Sequence, residues 1–216
     1  MKKLFYLFIC TIVASASFTS CLSDDDDDDK NTLSPLTAQQ RAEQLAAIQG
    51  FYSGQLFFIN DTTLLADSVD VDWKVTAPDS TLTVSQVPVK VFSQGIGNSI
   101  HRKLLNNSDA MLVLNSNLIP YVNDSEQTGY YTFWSIPTEG KKTFSIVDEE
   151  GKGHEVTIEF MQQVTQASGY GYYTYYAIGQ FYDKKFLSYI LIKGITVDGS
   201  TNSVNRVMYI LGNKVF

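Results

Sequence analysis

Apolar and polar residues alternate along much of this chain, and that alternation is the signature of strands. Val69, Val71, Trp73 and Val75 interleave with Asp70, Asp72, Lys74 and Thr76. Successive strand side chains point to opposite faces, so the apolar set forms one face of a half-buried strand. Upstream, residues 51–59 form an aromatic and β-branched run, with Gly54 inside it predicting a bulge or a close backbone approach. Leu82 and Val84, continued by Val87, Val89 and Val91, predict a short strand that Pro88 confines to a sheet edge or a break. Further strands follow over residues 111–119, 130–136, 142–147, 155–164, 170–182, 186–196 and 203–212, separated by turn clusters such as Thr138, Glu139, Gly140 and Asp198, Gly199. The clearest hairpin spans 170–196 and turns at 182–185.

Two stretches depart from period two. Over residues 38–49, Ala42, Leu45, Ala46 and Ile48 recur at helical spacing, with Thr37 as N-cap and Gly50 to end the helix. Ile96, Ile100 and Leu104 repeat every fourth residue, with Phe92 one step earlier, and predict a second short helix despite Gly95 and Gly97. About ten strands with no βαβ alternation give a mainly β fold: one antiparallel domain over residues 37–216, sandwich or barrel-like, with an N-terminal helix and one further short helix. A domain of roughly 180 residues buries about 70% of the surface its unfolded chain exposes, enough for a real core. A helix leading into an aromatic strand with Gly54 resembles the opening of lipocalin-like barrels, which implies a ligand-holding barrel as one reading.

The N-terminus is a separate problem. Lys2 and Lys3 precede an apolar run over residues 4–16 that is too short to span a bilayer and has the length of a signal-peptide core. Phe18, Thr19, Ser20 and Cys21 close it, which assigns residues 1–20 to a cleaved leader and Cys21 to lipid attachment. A bacterial lipobox usually carries an aliphatic residue where Phe18 stands. Cys10 lies in the leader, so the mature chain keeps no thiol beyond the lipidated one, and no disulfide is expected. Asp24, Asp25, Asp26, Asp27, Asp28 and Asp29 follow Ser23; six adjacent like charges repel and bury nothing, so residues 21–36 read as a disordered tether. From Leu22 to Pro35 it reaches at most about 50 Å.

A lipidated cysteine, a serine and a run of acids resemble the export signal of surface-exposed lipoproteins of the Bacteroidota, many of them functionally uncharacterised. The resemblance rests on residues 1–30. It implies an outer-membrane protein, held by its lipid and facing the cell exterior, with Ser23 and Asp24 to Asp29 as the address. Asp61, Thr62, Thr63; Asp67, Ser68, Val69; and Asp79, Ser80, Thr81 look like the short O-glycosylation sites used in the same bacteria.

Charge adds little for the domain itself. With the six tether aspartates and Lys2, Lys3 and Lys30 set aside, 17 acidic residues face 13 basic ones. There is no basic stripe to hold phosphates, so nucleic-acid partners are not expected. Of the two histidines, His101 sits beside Arg102 and Lys103, and His154 follows Gly153 at a hairpin turn; both read as surface residues. Gly97, Asn98, Ser99, Ile100 and His101 miss the last glycine of a hydrolase elbow. Gly169, Tyr170 and Gly171 lack the strand-to-helix setting of a phosphate loop. Asp70 with Asp72, or Glu155 with Glu159, are same-face carboxylates that a glycan hydrolase could use, and Asp67, Asp70 and Asp72 could share a calcium ion. Solvated outward faces explain all of them more simply, and no catalytic, cofactor or metal set is assigned.

The least ordinary feature is aromatic. In a continuous strand, Tyr170, Tyr172 and Tyr176 share one face and Tyr173 and Tyr175 the other. One set then looks away from a single core, and a tyrosine presents an apolar body with a polar tip suited to interfaces or sugar rings. These five form the candidate binding face of a non-enzymatic module for a protein or glycan partner.

Overall fold

The computed structural model describes residues 36–121, 129–168 and 171–216, with the backbone alone described for 164–168 and 171–175. The described residues fall into two units, one with 165–168 and 171–173 and the other with 36–121, 129–164 and 174–216. In the first, the described backbone is part of a two-stranded pair, β8 (Val164–Ser168) with β9 (Gly171–Tyr175).

The second unit begins with helix α1 (Ala38–Ile48) and strands β1 (Gly50–Ile59), β2 (Ala66–Thr76) and β3 (Thr81–Pro88). A 3-10 turn (Val89–Ser93) and helix α2 (Ser99–Asn106) lead into β4 (Met111–Tyr121), β5 (Tyr131–Pro137), β6 (Lys141–Val147) and β7 (Gly153–Phe160). It ends with β10 (Ile178–Tyr182), β11 (Lys185–Val197) and β12 (Ser200–Lys214). The sheet runs β10, β5, β4, β3, β2, β1, β12, β11, β7, β6, and β10 pairs again with β11. That last pairing closes eight strands into an antiparallel barrel, which settles sandwich against barrel and removes the open edges of those eight. β11 serves two neighbours in turn: residues 185–188 pair with β10, and residues 192–197 pair with β7. The hand-over falls at a register shift between Ile192 and Gly194, and the β6–β7 hairpin hangs from the second half of the strand.

Alternation decides what fills the barrel. Tyr52 and Leu56 of β1, Val71, Trp73 and Val75 of β2, Phe133 of β5, Phe186 of β11 and Ile210 of β12 point inward and are buried. Tyr52 and Trp73, direct cross-strand partners, stack at 5.7 Å. Phe186 lies 5.0 Å from Tyr52 and 5.1 Å from Phe133. Burial of each such ring contributes about 1.5–3 kcal/mol. Rings of this size fit because glycine faces them. A Cβ on Gly179 would lie 1.8 Å from the Phe133 ring, and one on Gly212 would lie 2.6 Å from Trp73. Gly54 has the close approach expected of it, with a Cβ there 2.3 Å from the Leu211 carbonyl oxygen.

The helices close one part of this frame. Thr37 caps α1, and Gln40 answers with its own side chain to the Thr37 backbone. Leu45 and Ile48 are buried, the Tyr52 hydroxyl donates to the Ile48 carbonyl, and Lys214 Nζ donates to Ala47 O at 3.2 Å. α2 is shorter than the spacing of Phe92, Ile96, Ile100 and Leu104 predicts. Gly95 sits at φ +82°, a conformation outside any helix, and Asn98 restarts the chain by accepting from the amides of Ile100 and His101. Ile96 is buried in the loop, Ile100 is 75% exposed, and Leu105 carries the buried face.

Three expected strands also change. Pro88 ends β3, so Val89 and Val91 are buried in the 3-10 turn instead of extending the strand. The run 155–164 is two strands: after Phe160 the chain leaves the ladder, with Phe160 N bonding to Gly140 O and Met161 N to Leu191 O. The run 170–182 is also two strands, because the chain leaves β9 at Tyr175 and enters the barrel at Ile178, where Ala177 O accepts from Ser135 N. The hairpin that survives is β10–β11, turning through Asp183 and Lys184 at φ +48° and +64°.

Candidate functional site

The inward set of β4, β5 and β10 includes Leu118, Phe133 and Phe181, so their neighbours Ile119, Trp134 and Ile178 stand on the outer face. Ile119 pairs with Trp134 across β4–β5, and Trp134 pairs with Ile178 across β5–β10. Three rings line up on this face. Tyr121 stacks on Trp134 at 5.0 Å, and Trp134 meets Tyr176 at 5.3 Å. Beside them Tyr130 and Tyr182 lie 6.2 Å apart. Trp134 and Tyr176 are half-buried, while Ile119 and Tyr182 are 39% and 38% exposed.

Burial pushes the Tyr121 hydroxyl above its ordinary range, a hydrogen bond with Thr132 pulls it back in part, and Tyr130 pushes it further up. Tyr130 is raised by burial as well. Both phenols are therefore neutral donors at physiological pH. Flat ring faces edged by hydroxyls can stack on the apolar face of a sugar or hold an apolar side chain while satisfying its polar neighbours.

A second aromatic line crosses the outer face of β1, β12 and β11. Phe57 stacks on Tyr209 at 4.9 Å, and Tyr209 meets Tyr189 at 5.7 Å. Burial, then the neighbouring Tyr189, pushes the Tyr209 hydroxyl up to about 12.

Of the five tyrosines expected to form the binding face, Tyr176 belongs to the Trp134 row, though the break after β9 takes it out of the alternation used to place it. Tyr170 lies outside the described residues, as do the side chains of Tyr172, Tyr173 and Tyr175. Cys21, Ser23 and Asp24 to Asp29 lie outside them too. Tyr121 and Trp134 were legible as outward positions once Leu118 and Phe133 were placed inward, but apolar residues on both faces of β4 and β5 hide that choice in the sequence.

Three of the carboxylate candidates have separate partners. Asp70 accepts from Gln55 at 3.3 Å, Asp67 from Asn60 at 3.3 Å, and Glu159 from Lys193 at 2.8 Å. The Lys193 bond holds Glu159 below the usual carboxylate range. Among the described residues no three His, Cys, Asp or Glu side chains are grouped to hold a metal. His101 Nδ1 lies 3.2 Å from the Asn202 amide. His154, expected on the surface, is largely covered and sits between Asp148 and Asp198.

These features define a closed eight-stranded antiparallel barrel, filled by aromatic rings and carrying aromatic rows on its outer wall. The chain belongs to the family of the domain of unknown function DUF4840, whose model matches residues 47–197. The match runs from the end of α1 through β11 and stops before β12, the strand that joins β11 to β1. Comparison with curated proteins returned no match. Comparison with solved structures returned none either.

Proposed function

We propose that this protein is a lipid-anchored lipoprotein of the outer membrane, facing the cell exterior, whose barrel is a non-enzymatic binding module for a protein or glycan partner. The observation that carries the binding reading is the outward row of Tyr121, Trp134 and Tyr176. Rigid rings lose little conformational entropy on contact, and aromatic residues centred on a patch supply most of an interface's affinity. Support for the anchor is the lipobox-like closure at Cys21 and the acidic run behind it.

The test is a binding screen of purified protein carrying Cys21→Ala against a glycan array and solubilised surface proteins, repeated with Trp134→Ser. Binding that survives Trp134→Ser unchanged, in a variant that still folds, removes the row from the function.

One observation favours a second reading, the ligand-holding barrel. The Ser135 and Ser188 hydroxyls and Trp73 Nε1 are buried and have no hydrogen-bond partner among the described residues. Ser135 and Ser188 alternate with core residues, so they face the interior among the packed rings, where a water-sized polar guest would satisfy them.

A further inference from the structure

We propose that His154 is the pin of a pH-sensitive clasp joining the β6–β7 turn to the β11–β12 turn, closed while its imidazole is protonated and opened when that proton leaves. The geometry is a carboxylate on each side of one ring. His154 Nδ1 lies 2.6 Å from Asp198 Oδ2, and Nε2 lies 3.1 Å from Asp148 Oδ2. Each carboxylate is fixed by its other oxygen. Asp148 Oδ1 accepts from the amides of Glu150 at 2.9 Å and Lys152 at 2.8 Å, and Asp198 Oδ1 accepts from the amide of Glu155 at 3.0 Å. Neither acid can turn away without giving up backbone bonds.

An imidazolium donates from both nitrogens, whereas a neutral imidazole has one N–H and one lone pair. Deprotonation therefore sets a lone pair against one of the two carboxylates, and that contact must lengthen. The ring side chain is 13% exposed, against 24% for Asp148 and 47% for Asp198, so solvent screens the Asp148 contact less than the Asp198 one. The charged groups facing it are Asp198 from the β11–β12 turn and Asp148 and Lys152 from its own hairpin; the bonds to Asp198 and then Asp148 hold the proton more tightly than usual, against burial and Lys152. Glu149, in the same turn, is engaged elsewhere: Asn107, which caps the end of α2, donates to it at 2.9 Å, and Lys103 of α2 lies 3.9 Å away.

The clasp thus ties together two turns and, through Glu149, the end of α2. Opening it loosens the end of the β6–β7 hairpin and leaves the eight-strand ladder intact, because among the described residues that hairpin pairs with the ladder through β7 on β11.

The test is NMR on the intact folded protein, with His101→Gln to assign the two imidazoles. Expected is a His154 midpoint above the ordinary 6.5, a shift downward in Asp198→Asn, and loss of Glu155 amide protection that follows the wild-type His154 midpoint. Because Asp198→Asn removes a charge and keeps the shape, the turn is expected to fold. A His154 midpoint at or below 6.5, or Glu155 protection that does not follow it, overturns the clasp.

Discussion

Gly179 is where the packing of the barrel can be tested most sharply. It sits on β10 directly opposite Phe133 of β5, and a Cβ there would lie 1.8, 2.4 and 2.6 Å from three atoms of the Phe133 ring. Ordinary contact begins near 3.4 Å, so Gly179→Ala forces the ring, which packs 5.1 Å from that of Phe186, to move by more than 1 Å. Overpacking of this kind costs about 3 kcal/mol at the upper end of its usual range. Loss of glycine's freedom in the unfolded chain returns up to about 1 kcal/mol, which leaves a net destabilisation of about 2 kcal/mol. In urea, where small domains show slopes of about 1–3 kcal/mol per M, the midpoint should fall by roughly 1 M. Phe133→Leu opens the space that the new methyl needs. The double variant should therefore be more stable than the sum of the single effects predicts by at least about 1 kcal/mol. Strict additivity, or a Gly179→Ala protein as stable as wild type, would refute the claim that glycine makes room for the rings.

Three further outcomes are expected. Tyr52→Phe leaves the buried Ile48 carbonyl without its donor and should cost about 1–3 kcal/mol by thermal or urea unfolding. The His154 clasp should give stability a plateau in pH: the raised His154 contributes fully below 6.5 and is lost as pH rises through its folded value, while Asp148 and Asp198, lowered chiefly by their bonds to His154, contribute above 3.8 and are lost as pH falls through theirs. Melting temperatures from pH 3 to 9 should show both flanks in wild type and flatten in His154→Ala. Cys21→Ala should move the protein from the membrane pellet to the soluble fraction, and alanine at Asp24 to Asp29 should protect it from protease shaving of whole cells while leaving it in the pellet.

Much of the fold was legible because period two is a strong signal where one strand face is dry. The Val69 to Val75 series of β2 shows it: Val71, Trp73 and Val75 are buried, and Asp72 and Lys74 between them are not. α1 was equally plain from Thr37 and the Leu45, Ile48 spacing. What local pattern could not show is closure. The β10–β11 pairing that makes a barrel of an open sheet depends on residues 185–188 and 192–197 of one strand taking different neighbours. Nor does alternation mark where a strand changes sheet, which is why the break at Tyr176 and Ala177 escaped a reading based on spacing. The outward row was hidden for a related reason: Trp134 looks like core in any linear pattern, and only Phe133 and Ser135 facing inward put it outside. His154 was missed because its two acids come from turns far apart in sequence.

The chain has two tryptophans, one in the core and one on the outer wall, and they give the most direct measurement of where a partner binds. In Trp73→Phe all tryptophan fluorescence comes from Trp134; in Trp134→Phe it comes from Trp73. With a glycan or protein recovered from the binding screen, acrylamide quenching should fall on titration in the Trp73→Phe protein, as the partner covers Trp134, and should stay low and unchanged in the Trp134→Phe protein. A partner that alters the Trp73 signal while leaving Trp134 as accessible as before would place the ligand inside the barrel and contradict the outward-face account.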